Sequence, residues 1–289
     1  MHDVIVVGSA NLDLVAATPR IPRPGETIIG TSYAEFAGGK GLNQAIAASR
    51  DGADTALVAT VGSDAAGTSL LAVANDNGID TAYVACSDAL PSGRALIMVD
   101  ERGENSIVAV PGANAETSGR AIPAGTVVLA QLEVAIDAVT QAFAAARQRG
   151  STTILNPAPA AALPAELVRL TDILIPNEHE AERMGGIHEL LDAGVQTVIV
   201  TRGSRGVAVT TRSAGQIESW SVAAIPVDAI DTTGAGDAFC GCLAAAIAAG
   251  PELRPAIQRA VAAGALATTT LGAVPSLPTT DRIDQLLTR

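Results

Sequence analysis

Short continuous runs of apolar, β-branched residues alternate with Ala-rich stretches along most of this chain. Val4–Val7, Ala56–Val61, Val127–Gln131, Thr153–Asn156, Ile173–Pro176 and Val198–Thr201 predict strands buried on both faces. Between them, Leu42–Asp51, Gly67–Asn77, Ala135–Arg149, Ala165–Leu170, Phe239–Ala249 and Pro255–Leu271 predict helices. Strand–helix alternation with fully apolar strands predicts an α/β protein whose parallel sheet is covered on both sides. Two regions break this rhythm. Leu14–Tyr33 and Arg94–Pro111 hold shorter segments of more polar alternation, such as Gly30–Phe36 and Ala95–Asp100. Glu101 to Asn105 reads as a hairpin turn between two of them. They predict a small sheet projecting from the main layer, a candidate lid.

Composition narrows the partners. The 289 residues are 48% hydrophobic and 2% aromatic, so a sizeable core is built from Ala, Val, Leu and Ile. A net charge of −12 argues against a nucleic-acid or anionic-membrane surface. Phosphates would have to be held locally, by backbone N–H groups, metal ions and a few placed cations. Cys86, Cys240 and Cys242 offer neither a disulfide framework nor metal-ligand spacing. With His only at 2, 179 and 188 and no His-x-x-x-His pair, a zinc enzyme is not expected. The chain opens directly on a strand without a basic region, and no apolar run is long enough to span a bilayer. A cytoplasmic protein is the expectation.

Three motifs carry chemistry. In Asp231 to Phe239 a carboxylate precedes the small turn Gly234-Ala235-Gly236, a second carboxylate, Asp237, and an apolar helix. The turn lets a ligand approach the backbone, and N–H groups at a helix start suit phosphate oxygens. A carboxylate there repels phosphate but can take a proton from a hydroxyl while the N–H groups stabilise the transferring phosphoryl. The bland alternative is an acidic residue favoured by the helix dipole. Gly38-Gly39-Lys40-Gly41-Leu42-Asn43-Gln44 is a tight turn opening another helix. Lys40 is its cation and the only lysine; the other 17 basic residues are Arg. Walker-loop spacing is absent. Asn11 and Asp13 follow the first strand two apart, a spacing that points both the same way and could grip vicinal hydroxyls; an Asx turn is the structural alternative.

Gly38–Asn43 and Asp231–Asp237 resemble the two signatures of the ribokinase (PfkB-type carbohydrate and purine kinase) family. The resemblance continues in family order through Asn11–Asp13, Pro24–Thr27, Gln131–Glu133, Asn156–Pro159, Pro176–Glu180, Thr201–Gly206 and Gly272–Ser276. It implies one domain over 1–289, a three-layer α/β/α sandwich with a β-sheet lid from segments near 12–36 and 94–111, and pairing of two subunits through that lid. The implied reaction moves the γ-phosphate of ATP to O5 of D-ribose. Asp237 matches the base, and Gly234, Ala235 and Gly236 match the anion hole. Asn11, Asp13, Gly39, Lys40, Asn43 and Glu133 match sugar-binding positions. Thr201, Gly203, Ser204 and Gly206 match the loop under ATP. Asn177 and Glu180 match the pair that organises Mg²⁺ through water, and also read as a helix capping box. A K⁺ activator site is implied at Asp231, Thr233, Ala267, Thr270, Gly272 and Ser276.

Two departures stand out. The segment 184–195 is shorter than usual in this family, and Val261 stands where a His near the adenine is frequent. Deoxyribose, a ketohexose, a keto-deoxy sugar acid or adenosine are the competing acceptors, with Phe36 or Tyr33 available to stack a base. A non-catalytic sugar or nucleotide sensor is the alternative of another class.

Overall fold

The computed structural model describes residues 1–213, 215–250 and 252–288. The first half runs β1 (His2–Val7), β2 (Asn11–Thr18), β3 (Ser32–Gly38), α1 (Lys40–Arg50), β4 (Thr55–Gly62) and α2 (Ala65–Asp76). It continues through β5 (Val84–Ser87), β6 (Gly93–Asp100), β7 (Asn105–Val110), β8 (Gly125–Ala130) and α3 (Ile136–Gln148). The second half holds β9 (Thr152–Leu155), α4 (Ala165–Leu170), β10 (Ile173–Leu174), α5 (Glu178–Arg183), α6 (Ile187–Asp192) and β11 (Thr197–Thr201). It closes with β12 (Val207–Ser213), β13 (Gln216–Val222), α7 (Ala235–Ala248), α8 (Leu253–Ala267), α9 (Ala273–Ser276) and α10 (Thr280–Leu287).

Nine strands form the main sheet in the order β13-β12-β11-β10-β9-β8-β1-β4-β5. The pairs from β11 to β5 are parallel, and β12 and β13 add an antiparallel edge. Alternate residues of each apolar strand feed different cores. Val4 and Val6 of β1 pack with α1, α7 and α8, while Ile5 and Val7 pack with α3 and α4. That division makes the sheet the middle of three layers. A second sheet, β3-β2-β6-β7, pairs β2 parallel to β6 and is otherwise antiparallel. Asn11 and Asp13 therefore open the second sheet, whereas β1 has already ended at Val7.

One close approach fixes the start of α1. A Cβ on Gly41 would lie 2.5 Å from Gly8 C and from Ser9 N, so this helix crosses the end of β1 backbone to backbone. Among the described residues, no helix is long and apolar enough to cross a membrane.

Candidate active site

The parallel strands end on one side, where loops carry Glu133 after β8, Asn156 after β9, Asn177 after β10 and Thr201 at the end of β11. The starts of α1 and α7 meet them there, the usual ligand position of an open α/β sheet. A cavity of about 230 Å³ is lined by Lys40, Asn156, Ala158, Ile175, Asn177, Glu180, Thr201, Thr232, Gly234, Gly236, Asp237 and Cys240. A larger one, about 500 Å³, opens at the opposite end of the strands around Arg147, Asp172 and Gln196. None of the residues singled out in the sequence lines it.

Asp237 occupies the first turn of α7 and is buried. Gly234 caps that helix with φ +78°, a left-handed conformation that favours glycine. The helix therefore begins at Ala235, four residues before the apolar run that announced it. First-turn N–H groups have no carbonyl within their own helix, and Gly234, Gly236 and Asp237 line the cavity. A Cβ on Gly236 would meet nothing within 4 Å, so the space beside that turn is open. Asn43 Nδ2 donates to Asp237 Oδ2 at 2.9 Å, and Gln44 Nε2 donates to Oδ1 at 2.9 Å. Burial pushes the Asp237 carboxyl above its ordinary range; the Lys40 charge and these two amides pull it back. Asp237 in turn holds the Lys40 ammonium charged against its own burial.

The side where hydroxyl-binding residues were expected is built around Glu133. Its Oε2 accepts from Ser9 Oγ at 2.6 Å, from the Lys40 backbone N–H at 3.0 Å and from Asn11 Nδ2 at 3.4 Å. Asn11 is positioned from behind by buried Asn114, whose Nδ2 donates to Asn11 Oδ1 at 2.7 Å and whose Oδ1 accepts from the Ala10 N–H at 2.9 Å. Asp13 lies over Gly38, where a Cβ would come 2.1 Å from Asp13 Oδ2. Burial, then Glu133 and Asp237, push its carboxyl up to about 7. Gly39, at φ +89°, caps α1 and aims Lys40 inward. Asn43 Oδ1 is buried without a hydrogen-bond partner among the described residues, an acceptor left over for a hydroxyl.

Asn177 and Glu180 form the full capping box of α5. Glu180 N donates to Asn177 Oδ1 at 2.9 Å, and Asn177 N to Glu180 Oε2 at 2.8 Å. Thr201 lines the cavity; Gly203 and Ser204 lie exposed in the turn after β11, and Gly206 closes that turn at φ +78°. Asp231 ties two loops together. Its Oδ1 accepts from Thr233 N and Oγ1, and its Oδ2 from Gly272 N at 2.9 Å. Burial opposes its charge, but these donors win and hold its carboxyl below the usual range. Ala267 is buried at the end of α8, Thr270 follows it, and Ser276 is fully buried with its hydroxyl donating to Ala273 O. Val261 belongs to the apolar core between α7 and α8. The short 184–195 segment still forms α6. Tyr33 and Phe36 stand exposed on β3 of the second sheet. Sequence reasoning assigned no role to Ser9, Gln44, Asn114, Gln131 or Asn156; four of the five sit inside or beside motifs it quoted.

A carboxylate at an open helix start, a cation beside it and a polar grip for hydroxyls belong together in a sugar kinase. The family model for pfkB family carbohydrate kinases matches residues 1–280. The chain is 36% identical over 306 residues to a ribokinase of Staphylococcus aureus, covering 99% of each. It is 37% identical over 297 residues to a ribokinase of Bacillus subtilis, covering 99% of this chain and 100% of the relative. The structure of Arabidopsis thaliana ribokinase complexed with ribose and ATP matches it with a TM-score of 0.91 at 32% identity, over 99% of this chain and 98% of that one. This chain belongs to the pfkB family of carbohydrate kinases and is a phosphotransferase acting on a sugar.

Proposed function

We propose that this kinase transfers the γ-phosphate of ATP to the 5-hydroxyl of D-ribose, giving D-ribose 5-phosphate and ADP. The observation that carries the reading is Asp237: a buried carboxylate held at both oxygens in the first turn of α7, facing open space beside Gly236. Asn11, Asp13, Asn43 and Glu133, with Gly39 and Lys40, orient the sugar. Asp237 takes the proton of the attacking hydroxyl. The N–H groups of Gly234 to Asp237 and the Lys40 ammonium receive charge on the phosphoryl group. Thr201, Gly203, Ser204 and Gly206 hold the nucleotide.

Mg²⁺ fits beside Asn177 and Glu180. Their capping box uses Glu180 Oε2 and Asn177 Oδ1, leaving Glu180 Oε1 as an acceptor for the ion's water shell and the Asn177 NH₂ as a donor to a phosphate oxygen. Bound there, the ion neutralises phosphate charge that an acidic protein cannot. K⁺ fits at Asp231, whose charge is maintained and whose bonds to Thr233 and Gly272 gather both loops, with Ser276 buried beside them. Carbonyls of Thr233, Ala267, Thr270 and Gly272 would complete that site, and a cation held there would steady the turn before α7. We assign the second sheet to a lid over the sugar. Exposed Leu96, Ile107, Val108 and Val110 on it support pairing of two copies, and a cytoplasmic location accords with this chemistry.

The test is ADP production from Mg-ATP with ribose, 2-deoxyribose, fructose and adenosine, each in K⁺ and in Na⁺ alone. Ribose-dependent turnover raised by K⁺ is expected. A higher kcat/KM with another acceptor replaces the substrate, and equal rates in both salts remove the K⁺ assignment.

A further inference from the structure

A chain of buried side-chain amides runs from the core to Asp237. Gln131, just past β8, donates its Nε2 to Gln44 Oε1 at 2.5 Å. Gln44 donates its own Nε2 to Asp237 Oδ1 at 2.9 Å and to Asn156 Oδ1 at 3.2 Å. Asn156 Nδ2 donates to the carbonyl of Ile175 at 3.0 Å. Both glutamines are fully buried, and neither lines the cavity.

The carboxylate dictates every orientation in this chain. Ionised Asp237 can only accept, so Gln44 must turn its NH₂ towards it. The Gln44 oxygen then faces Gln131, which answers with its own NH₂. Nothing answers at the far end: Gln131 Oε1 is buried without a hydrogen-bond partner among the described residues. Such a group is unfavourable for stability. Gly8 makes room for it, since a Cβ there would lie 2.1 Å from Gln131 Oε1. Apolar side chains of similar volume would fill this space without that penalty, so stability alone does not account for two buried glutamines. What they deliver is a donor aimed at Asp237.

We propose that Gln44, backed by Gln131 and Asn156, is a positioning residue that holds the Asp237 carboxylate in its proton-accepting orientation. This rests on the reading of Asp237 as the base. Asn43 holds the other oxygen, but Asn43 also faces the sugar and must share its amide with it. Gln44 has no such competitor. Its donor also favours the ionised carboxylate, on the same side as Lys40 of α1 and against Glu133 after β8, Asp13 of β2 and the effect of burial. Cys240, one turn along α7, keeps its thiol protonated and adds no charge. Glu180 of α5 acts on Lys40.

The experiment compares Gln44→Met, Gln131→Met and Asp237→Asn by steady-state kinetics across pH 5–9, on the acceptor that supports turnover, with melting curves. For Gln44→Met, kcat falls about 10- to 100-fold at pH 7, KM for the sugar stays within about threefold, and the acidic limb of kcat moves up by about one pH unit. Raising the pH then recovers part of the lost rate. Gln131→Met shifts the limb in the same direction by less, with no loss of melting temperature. A folded Gln44→Met with unchanged kcat and limb, beside an inactive Asp237→Asn, refutes the positioning role and leaves the base in place. Near-normal turnover in Asp237→Asn removes the base and this proposal together. If Gln44→Met does not fold, Gln131→Met decides: an unmoved kcat and limb there overturns the proposal.

Discussion

Replacing Asp13 by Asn should make the protein more stable at neutral pH while abolishing tight sugar binding. Among the described residues no cation pairs with Asp13; burial and the facing Glu133 and Asp237 push its carboxyl from 3.8 up to about 7. The folded chain therefore keeps this proton in a range where the unfolded chain has lost it. Folding stability falls as pH rises between about 4 and 7 and is flat in this term above that. Three pH units at about 1.4 kcal/mol each set a ceiling of about 4 kcal/mol. The residue is only half-buried, and water screening reduces the effect to about 2 kcal/mol. For a chain of this size that is about 4 °C in melting temperature. The assay is urea unfolding of both proteins from pH 4.5 to 8 without sugar. The Asn variant lacks the fall, so it gains about 2 kcal/mol on wild type across the window. Saturating sugar shrinks the difference, because hydroxyl donors favour the ionised carboxylate. A gap between the two proteins that stays constant across this pH range refutes the reasoning, since it means that Asp13 ionises alike in folded and unfolded chains.

Two glycines should separate fold from chemistry. Gly41→Ala drives a Cβ to 2.5 Å from the backbone of Gly8 and Ser9, and is expected to lower stability by about 2 kcal/mol or more in thermal melts. Gly236→Ala meets nothing within 4 Å, so melting is unchanged while kcat falls about tenfold or more, because the methyl enters the space assigned to phosphate. Asp231→Asn keeps one acceptor oxygen, which serves Thr233, but sets its NH₂ against the Gly272 N–H and loses the charge; stimulation by K⁺ over Na⁺ is expected to disappear from the rate, with stability in Na⁺ lowered by about 1 kcal/mol.

The apolar strands were legible because a strand buried on both faces needs a mostly apolar run, and β1, β4, β8 and β11 have one; β9, Thr-Thr-Ile-Leu, is half threonine. Boundaries moved where side chains compete with the backbone. The helix expected to reach Leu271 stops at Ala267. Thr268 and Thr269 turn their hydroxyls back onto the carbonyls of Ala265 and Leu266, and the chain leaves the helix there. β10 is two residues long, since Pro176 has no N–H with which to extend the ladder. The β12–β13 hairpin escaped notice because its edge position permits polar residues that mask the strand pattern.

The site divides in the same way. Asp237, Lys40 and Asn177 announce themselves because each sits at a turn whose local sequence must open a helix. The amides behind Asp237 carry no local signature. Gln44 and Gln131 are 87 residues apart, and Gln44 and Asn156 are 112 apart. Each taken alone is a polar residue next to apolar ones, as on any amphipathic element. Only the parallel sheet, by ending β8 and β9 beside the start of α1, turns them into one connected chain. Residues at helix-opening turns that line the cavity can thus be found by local pattern. Those that orient such residues depend on tertiary register and become visible only when the unpaired oxygen of Gln131 is traced to the carboxylate it serves.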